Sequence, residues 1–254
     1  MERITSRQNP LITRLRRLGA EKKARRAQGV FLCEGVKLVG EALRWGPPPE
    51  LLVVAEGTAP PAELPRRGCG VVEVPGGAAA GGVHRGRPPG HAGRVPDAGY
   101  RPAGALPEGR LLVLDGAAGP RQRGHRLAHR RRLRGGGLFL LPGCAEPFAP
   151  KTVRATMGAC FRLPVWEGTL DELTGGWPGR PSPCMPTALR DGHGGAVRAV
   201  PLGSAAVVIG SEGRGVSQPV LDACRATLKI PMRDRCESLN AAVAASVVLW
   251  EGWR

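Results

Sequence analysis

Several features that define common protein classes are missing from this sequence. No run of apolar residues approaches the roughly 18 to 20 residues that a membrane-spanning helix needs. The seven cysteines form no C-x-x-C pair and no regular ladder, so they indicate neither a zinc site nor a disulfide framework. The opening stretch MERITSRQNPLITRLRRLG has no apolar core and no small-residue cleavage site, which is not the pattern of a secretory signal. These absences predict a globular cytoplasmic protein with reduced thiols and no bound metal.

Acidic residues are scarce relative to basic ones. The 254 residues include 37 Lys and Arg against 21 Asp and Glu, which gives a formal charge of +16. Clustered basic side chains neutralise phosphates and release counterions, so this charge favours a nucleic-acid partner. The alternative interpretation is a GC-rich genome, in which arginine is simply frequent. A chain of this length has room for one large domain or two small ones.

Hydrophobic periodicity predicts alternating helices and strands. Leu11, Leu15 and Leu18 recur at helical spacing among Arg and Lys, which predicts a basic amphipathic helix from Leu11 to Arg26. Further helices are predicted in VKLVGEALRWG and ESLNAAVAASVVLWEGW, and a helix leading into a strand in KTVRATMGACFRLPV. Strands are predicted in VFLCEG, LLVVAEG, VVEVPGG, RLLVLDG, GLFLLPG, AAVVIG and LKIPM. The alternation predicts α/β domains with largely parallel sheets over residues 1–80 and 108–254, joined by a Gly/Pro/Arg-rich linker at 81–107.

A glycine-rich loop follows one of these strands. VVIGSEGRGVS contains Gly210, Gly213 and Gly215, whose backbones can approach a ligand closely. The loop lacks the G-K-[ST] ending of a phosphate-binding loop and the spacing of the dinucleotide fingerprint. A nucleotide-phosphate enzyme is also disfavoured because Asp-rich metal ligands are missing from the sequence. A plain tight turn remains an open interpretation of the loop alone.

The predicted C-terminal helix begins with two polar residues that can cap it or contact a ligand. Ser238 and Asn240 stand where its unpaired backbone N–H groups are expected. Small residues follow, and they permit close packing against another chain segment or a second subunit: Ala241, Ala242, Ala244, Ala245 and Ser246.

Together these stretches resemble the SpoU/TrmH family of RNA ribose 2′-O-methyltransferases, members of the SPOUT class. IGSEGRGVS resembles the second motif of that family, and IPM followed by ESLNAAVAASVVLWE resembles the third. PGCAEPFAPKTVRATMGACFRLPV is similar to the segment between the first and second motifs. ITSRQNPLITRLRRL with FLCEGVKLVGEAL resembles the substrate-binding domain of the family. The resemblance covers about two thirds of the chain.

The resemblance implies an α/β fold with a C-terminal trefoil-knotted methyltransferase domain, preceded by a small ribosomal-protein-like α/β domain that binds RNA. It implies a homodimer through the C-terminal domain and S-adenosylmethionine as cofactor. The backbones of Gly210, Ile230 and Leu239 are expected to hold the cofactor, with Ser211, Gly213, Pro231 and Met232 around it. Glu212, Ser238 and Asn240 are expected at the methyl-transfer site. The expected RNA contacts are Arg7, Asn9, Arg14, Arg16, Lys22, Arg25, Glu34 and Arg154.

The first motif of the family, N-x-G-x-x-x-R-T, is expected after LLVLDG, where GPRQRGHRLAHRRRLRGG stands instead. Gln122, Ala128 and His129 occupy the positions of its asparagine, arginine and threonine. The possible codons, translated one base later, permit GNVGTAWRTADAFG, which contains the complete motif. The same shift over Val83 to Ala98 permits STEDAPQGMLAVCRMP, similar to the family's T-x-x-P-Q-G strand lead-in. We interpret residues 83–106, 121–136 and 175–200 as compensated frameshifts.

Two functional hypotheses follow. The first is an S-adenosylmethionine-dependent 2′-O-methyltransferase acting on ribosomal or transfer RNA. The alternative is a catalytically impaired RNA-binding homologue that keeps the cofactor pocket, because position 128 is alanine. Arg126, Arg130 and Arg134 would form one like-charged stripe on a helix, which cannot be buried unpaired. We therefore expect loop or poorly packed helix over residues 83–106 and 121–136, between buried strands at 111–116 and 138–141.

Overall fold

The computed structural model divides into two compact units. Its described residues are 2–6, 8–61, 69–75, 91–96, 100–101, 111–117, 136–175, 184–187, 205–224, 226–232 and 239–251. The first unit comprises Met1–Ala98 and Glu146–Arg162, and the second comprises Gly99–Ala145 and Leu163–Arg254. The chain therefore leaves the first unit, builds part of the second, and returns to the first before it completes the second.

A mixed five-stranded sheet forms the centre of the first unit. The spatial order is β1 (Glu2–Arg3), β4 (Gly70–Val74), β3 (Leu51–Ala55), β5 (His91–Pro96) and β2 (Val30–Glu34). Strands β1, β3 and β4 run parallel to one another, whereas β5 is antiparallel to both β3 and β2. The valine and leucine side chains of β2 and β3 are buried, except for the half-buried Leu51, as their apolar sequences predict.

Three helices cover this sheet: α1 (Pro10–Ala20), α2 (Lys22–Gln28) and α3 (Val36–Trp45). Leu15 and Leu18 of the predicted stripe are buried in the core together with Ile12, whereas Leu11 is half-buried against it, and the amphipathic helix is confirmed. The prediction of one continuous helix to Arg26 is wrong, because the chain is extended at Glu21. There the Arg25 guanidinium donates to the carbonyl oxygens of Leu18 and Gly19, at 2.5 and 3.3 Å, and these belong to the last turn of α1.

The returning segment, residues 146–162, packs on the same unit. It contains α4 (Pro150–Ala155) and a 3₁₀ turn at Ala159–Phe161. Phe31 of β2 lies between two of its aromatic rings, with centroid distances of 4.8 Å to Phe148 and 5.9 Å to Phe161. The segment is thus part of the core of the first unit, although its sequence neighbours on both sides belong to the second.

The second unit is built on a six-stranded sheet in which every pair is parallel. The order is β10 (Cys184–Pro186), β11 (Ala206–Ile209), β7 (Leu111–Leu114), β8 (Gly137–Leu140), β9 (Val165–Glu167) and β6 (Tyr100–Arg101). Its helices are α5 (Leu170–Gly175), α6 (Gln218–Ala223) and α7 (Ala241–Glu251). Strands β7, β8 and β11 are buried throughout, which explains their continuous apolar sequences and confirms the predicted parallel α/β architecture. None of the described helices is long and apolar enough to cross a membrane.

Strand β5 contradicts the predicted linker at 81–107 and the predicted loop at 83–106. His91–Pro96 lies between β3 and β2, so the first sheet extends past residue 80. Backbone hydrogen bonds to both neighbouring strands stabilise an extended segment there, although its polar side chains are poorly suited to a buried position. His91 Nδ1 and Arg94 Nε are buried and have no hydrogen-bond partner. Residues 121–135, with the arginine stripe, lie outside the described residues, whereas the buried strands predicted on either side are confirmed as β7 and β8.

Candidate functional site

The site predicted from the motifs lies at one edge of the parallel sheet. Because all strands run in the same direction, the residues that follow β7, β8 and β11 emerge at the same edge. Open parallel sheets bind ligands in the crevice beyond these carboxyl ends. Gly210 follows β11, and Asp115 follows the neighbouring strand β7.

The loop after β11 requires glycine at its first position. A Cβ atom on Gly210 would lie 2.0 Å from the carbonyl carbon of Gly215 and 2.2 Å from the nitrogen of Val216. The loop closes through two backbone hydrogen bonds, from Ser211 N to Gly215 O at 3.0 Å and from Gly215 N to Ser211 O at 2.9 Å. This closure leaves Glu212 and Gly213 exposed at the tip of the loop. The closed geometry of the loop therefore requires glycine at position 210, whereas its approach to a ligand stays a prediction.

A carboxylate that the sequence reasoning missed anchors the other end of the loop. Asp115 is 9% exposed, and its Oδ2 accepts a hydrogen bond from the backbone nitrogen of Ser217 at 2.6 Å. Its own backbone nitrogen donates to Ile209 O at 3.0 Å. The signal available in the sequence was its position directly after the buried strand LLVL, at the edge where ligands bind.

The two motifs predicted to form the site meet in the structure. Asn240 Nδ2 donates to Glu212 Oε1 at 2.9 Å. The Asn240 side-chain oxygen accepts from the backbone nitrogens of Ala242 at 2.9 Å and Val243 at 3.4 Å, so it caps α7. These bonds orient the amide with its oxygen toward the helix and its NH₂ group toward Glu212. Both Glu212 and Asn240 are exposed and can contact a ligand.

The remaining predicted pocket residues lie on segments that lead to the same edge. Leu228 N donates to Pro186 O at 2.9 Å, and Leu228 forms a parallel bridge with Thr187. In place of the strand predicted in LKIPM, Leu228 and Lys229 form isolated bridges. Beyond it the chain continues toward the carboxyl ends of the strands through Ile230–Met232, where Pro231 is exposed and its neighbours are half-buried. Leu239 is 37% exposed beside Asn240, and Ser238 lies outside the described residues.

The predicted RNA contacts in the first unit divide into exposed and buried groups. Arg14, Arg16 and Lys22 are exposed on α1 and α2, and their contact with RNA stays a prediction. Asn9 caps α1, because its Oδ1 accepts from Leu11 N at 2.8 Å. Arg7 lies outside the described residues.

Arg25 is not available to RNA, and this corrects the sequence prediction. Its side chain is 6% exposed and forms a double hydrogen bond with Glu146, from Nε to Oε1 at 2.8 Å and from Nη2 to Oε2 at 2.5 Å. Glu34 is corrected for the same reason, since its side chain is 8% exposed and accepts from Arg154 Nη1 at 2.8 Å. Arg154 keeps partial exposure, so its contact with RNA stays a prediction.

A metal site was not expected, and the described residues contain no group of three or more His, Cys, Asp or Glu that could hold a metal ion.

Two family models match this chain in succession. Residues 9–89 match the MRM3-like substrate binding domain, and residues 132–250 match the SpoU rRNA methylase family. An uncharacterised tRNA/rRNA methyltransferase of Mycolicibacterium vanbaalenii is 31% identical over 259 residues, covering 91% of this chain and 81% of the relative. One of Mycobacterium tuberculosis is 35% identical over 147 residues, covering 57% of this chain but only 45% of the relative.

Solved structures are similar over almost the whole chain. An AdoMet-bound rRNA methyltransferase from Sinorhizobium meliloti has a TM-score of 0.85 and 26% identity, covering 99% of this chain and 97% of that one. An RNA 2′-O ribose methyltransferase has a TM-score of 0.75 and 26% identity, covering 98% and 97%. The two family models match in succession, a relative is similar over nine tenths of the chain, and the fold matches that of a solved rRNA methyltransferase. This chain therefore belongs to the SpoU/TrmH family of RNA methyltransferases.

Proposed function

We propose that this protein uses S-adenosylmethionine to methylate a ribose 2′-hydroxyl in ribosomal or transfer RNA. The observation that carries the proposal is the hydrogen bond between Asn240 and Glu212, which joins two motif segments at the carboxyl edge of the parallel sheet. Support comes from the similar Sinorhizobium meliloti protein, which is an rRNA methyltransferase with bound AdoMet, and from the similar RNA 2′-O ribose methyltransferase.

The residues at this edge fit a cofactor held largely by backbone groups. Gly210 has no side chain to obstruct the loop, and Gly213 is exposed with open space beside its α-carbon. The cofactor would lie against the backbones of Gly210, Ile230 and Leu239, and it would supply an electrophilic methyl group. The proposed surroundings of the cofactor are completed by Ser211, Gly213, Pro231 and Met232.

Glu212, Asn240 and Ser238 are proposed to position the ribose. Methyl transfer to an unactivated hydroxyl needs an oriented oxygen atom and help with removal of its proton. The fixed amide of Asn240 and the exposed carboxylate of Glu212 provide one donor and one acceptor to a ribose. The arginine of the first motif would assist the proton removal, and in this chain alanine occupies that position, Ala128.

The substitution at that position supports a second candidate, an RNA-binding homologue with a cofactor pocket and impaired catalysis. Gln122, Ala128 and His129 replace all three polar residues of the first motif. Both candidates predict RNA binding, so only transfer of a labelled methyl group separates them. The protein should be incubated with methyl-labelled S-adenosylmethionine and bulk RNA, followed by alkaline hydrolysis. A ribose-methylated linkage resists alkali because its 2′-oxygen can no longer attack the phosphate, so label in alkali-resistant dinucleotides supports the enzyme.

We further propose a trefoil knot in the second unit, a ribosomal-protein-like fold for the first unit, a cytoplasmic location and a homodimer through α7. That helix exposes Val243 and Trp250, at 47% and 51%, seven residues apart and therefore on one face. Exposed apolar side chains on one helix face are typical of a subunit interface. Sedimentation that shows only monomer at micromolar concentration would contradict the dimer.

A further inference from the structure

An aromatic side chain at the end of α3 is held in a fixed position on the surface of the first unit. Trp45 is 52% exposed, and the guanidinium carbon of Arg162 lies 4.6 Å from the centroid of its ring. The Arg162 side chain is itself 11% exposed and forms an ion pair with Glu41, one helical turn before Trp45. The three side chains thus form a stack that begins with a carboxylate and ends with an exposed indole.

This stack makes the indole a pre-organised surface for binding a partner. The guanidinium covers one face of the ring, and its attraction to the π-system fixes the ring plane. Trp45 is 52% exposed whereas the Arg162 side chain is 11% exposed, so the indole is the member of the pair that a partner can reach. A partner that stacks there need not order a mobile side chain, which lowers the entropic cost of binding.

The charges carried by α3 favour an anionic partner. Lys37 and Arg44 are exposed on this helix. The acidic Glu41 between them in sequence is neutralised by Arg162. A flat indole on a helix that also carries exposed basic side chains matches an unpaired nucleobase with its phosphates, because every base presents a π-face. Bases within a duplex are already stacked on their neighbours, so they cannot use such a surface.

We propose that Trp45 is a stacking platform for one unpaired nucleobase of the RNA substrate. The proposal rests on the proposed RNA methyltransferase function and refines it, since it identifies looped or single-stranded RNA as the form that the first unit binds. Arg162 and Glu41 are positioning residues, because they act on the base only through the indole.

The test measures binding of a short fluorescent single-stranded RNA and of a duplex of the same sequence by anisotropy. Trp45→Ala is expected to weaken single-strand binding roughly fivefold to a hundredfold, the range measured when other stacked aromatics are removed. Trp45→Phe retains a ring and should stay within about threefold of the wild type. Val36→Ala is the matched control, because Val36 is 59% exposed on the same helix and lacks a ring. Duplex binding should not change in any variant.

Three outcomes would overturn the platform. These are unchanged single-strand affinity in Trp45→Ala, an equal loss for the duplex, or altered sedimentation that marks the surface as a protein contact. Binding of S-adenosylmethionine distinguishes this failure from failure of the proposed function. A wild type that binds both S-adenosylmethionine and RNA, while Trp45→Ala keeps the same affinity for single-stranded RNA, leaves the function intact and removes the platform. A wild type that binds neither RNA nor S-adenosylmethionine contradicts the function itself.

Discussion

The two units fix their functional surfaces by different physical means. In the first, three arginine–glutamate pairs connect residues 146–162 to the rest of the unit: Arg25 with Glu146, Arg154 with Glu34, and Arg162 with Glu41. In the second, the loop at Gly210 is held by backbone hydrogen bonds, by the absence of a side chain, and by one carboxylate, that of Asp115.

This difference changes how arginine should be interpreted in a basic chain. Arg25 and Arg162 contribute to the formal charge, but their side chains are at least 89% buried in ion pairs and mainly stabilise the fold. The residues that define the candidate site of the second unit are instead glycine, asparagine and carboxylates. Substitution of these buried arginines in the first unit should therefore alter stability, and substitution of the site residues in the second should alter ligand binding.

The largest expected effect comes from correction of the proposed frameshifts. A chain with residues 83–98 and 121–134 replaced by the shifted translation regains the first motif at positions 122, 128 and 129. Methyl transfer should rise by about 10²- to 10⁴-fold, the usual contribution of assisted proton removal. Replacement of 83–98 alone is the control, since it restores no residue of the first motif and should leave transfer low. Robust methylation by the present sequence would rule out the frameshift hypothesis.

A substitution at Gly210 should separate ligand binding from folding. Gly210→Val places a side chain where the carbonyl carbon of Gly215 is 2.0 Å away, so the loop must open and its geometry is lost. Titration calorimetry should show S-adenosylmethionine affinity reduced by at least about a hundredfold, because a pre-organised polar surface is lost. Gly175→Ala is the control, since a Cβ there meets no atom within 4 Å. Normal cofactor binding by Gly210→Val would refute the pocket assignment.

Substitution of a buried arginine in the first unit should lower the stability of the fold. Arg25→Ala leaves the buried carboxylate of Glu146 unpaired and should lower the free energy of unfolding by about 3–5 kcal/mol. Arg17→Ala is the matched comparison, because Arg17 pairs with Glu21 on the surface, where solvent screens the pair, so its loss should change the free energy of unfolding far less. Urea denaturation measures both variants. Equal effects for the two substitutions would contradict the distinction between buried and exposed arginine.

A smaller effect is expected on the pH dependence of the stability of the first unit. Burial, with a smaller contribution from the nearby Cys160, raises the pKa of the Cys33 thiol from an ordinary 9.0 to about 12. The neutral thiol therefore contributes stability that is present below pH 9 and is lost between pH 9 and 12. The stability difference between wild type and Cys33→Ala should shrink by about 1 kcal/mol from pH 8 to 10. The difference for Leu32→Ala, also buried in β2, should stay constant.

The sequence predicted those parts of the fold that depend on local pattern. LLVL, GLFL and AVVI are continuous apolar runs because both faces of their sheet are covered, and all three are strands. The break at Glu21 could not be predicted, since it coincides with tertiary contacts from Arg25. Strand β5 was missed for a related reason, because HAGRVP has a weak strand pattern and pairs on both sides with strands distant in sequence.

The candidate site was predicted as separate segments, and its contacts were not. The family resemblance selected Glu212 and Asn240, but their hydrogen bond depends on how the chain between them folds back. Asp115 was missed because nothing local distinguishes an aspartate that anchors a loop from one that ends a strand. Its contact with Ser217 spans 102 residues.

The return of residues 146–162 to the first unit sets an order of events during synthesis of the chain. When Ala98 leaves the ribosome, Arg25 still lacks Glu146, and Phe31 still lacks the rings of Phe148 and Phe161. The nascent first unit must therefore wait, with a cation and an aromatic surface uncovered, until strands β7 and β8 have also been translated. The N-terminal unit cannot finish folding first, as the domains of most chains do. Maturation of the two units is linked in time by a single stretch of seventeen residues, Glu146–Arg162.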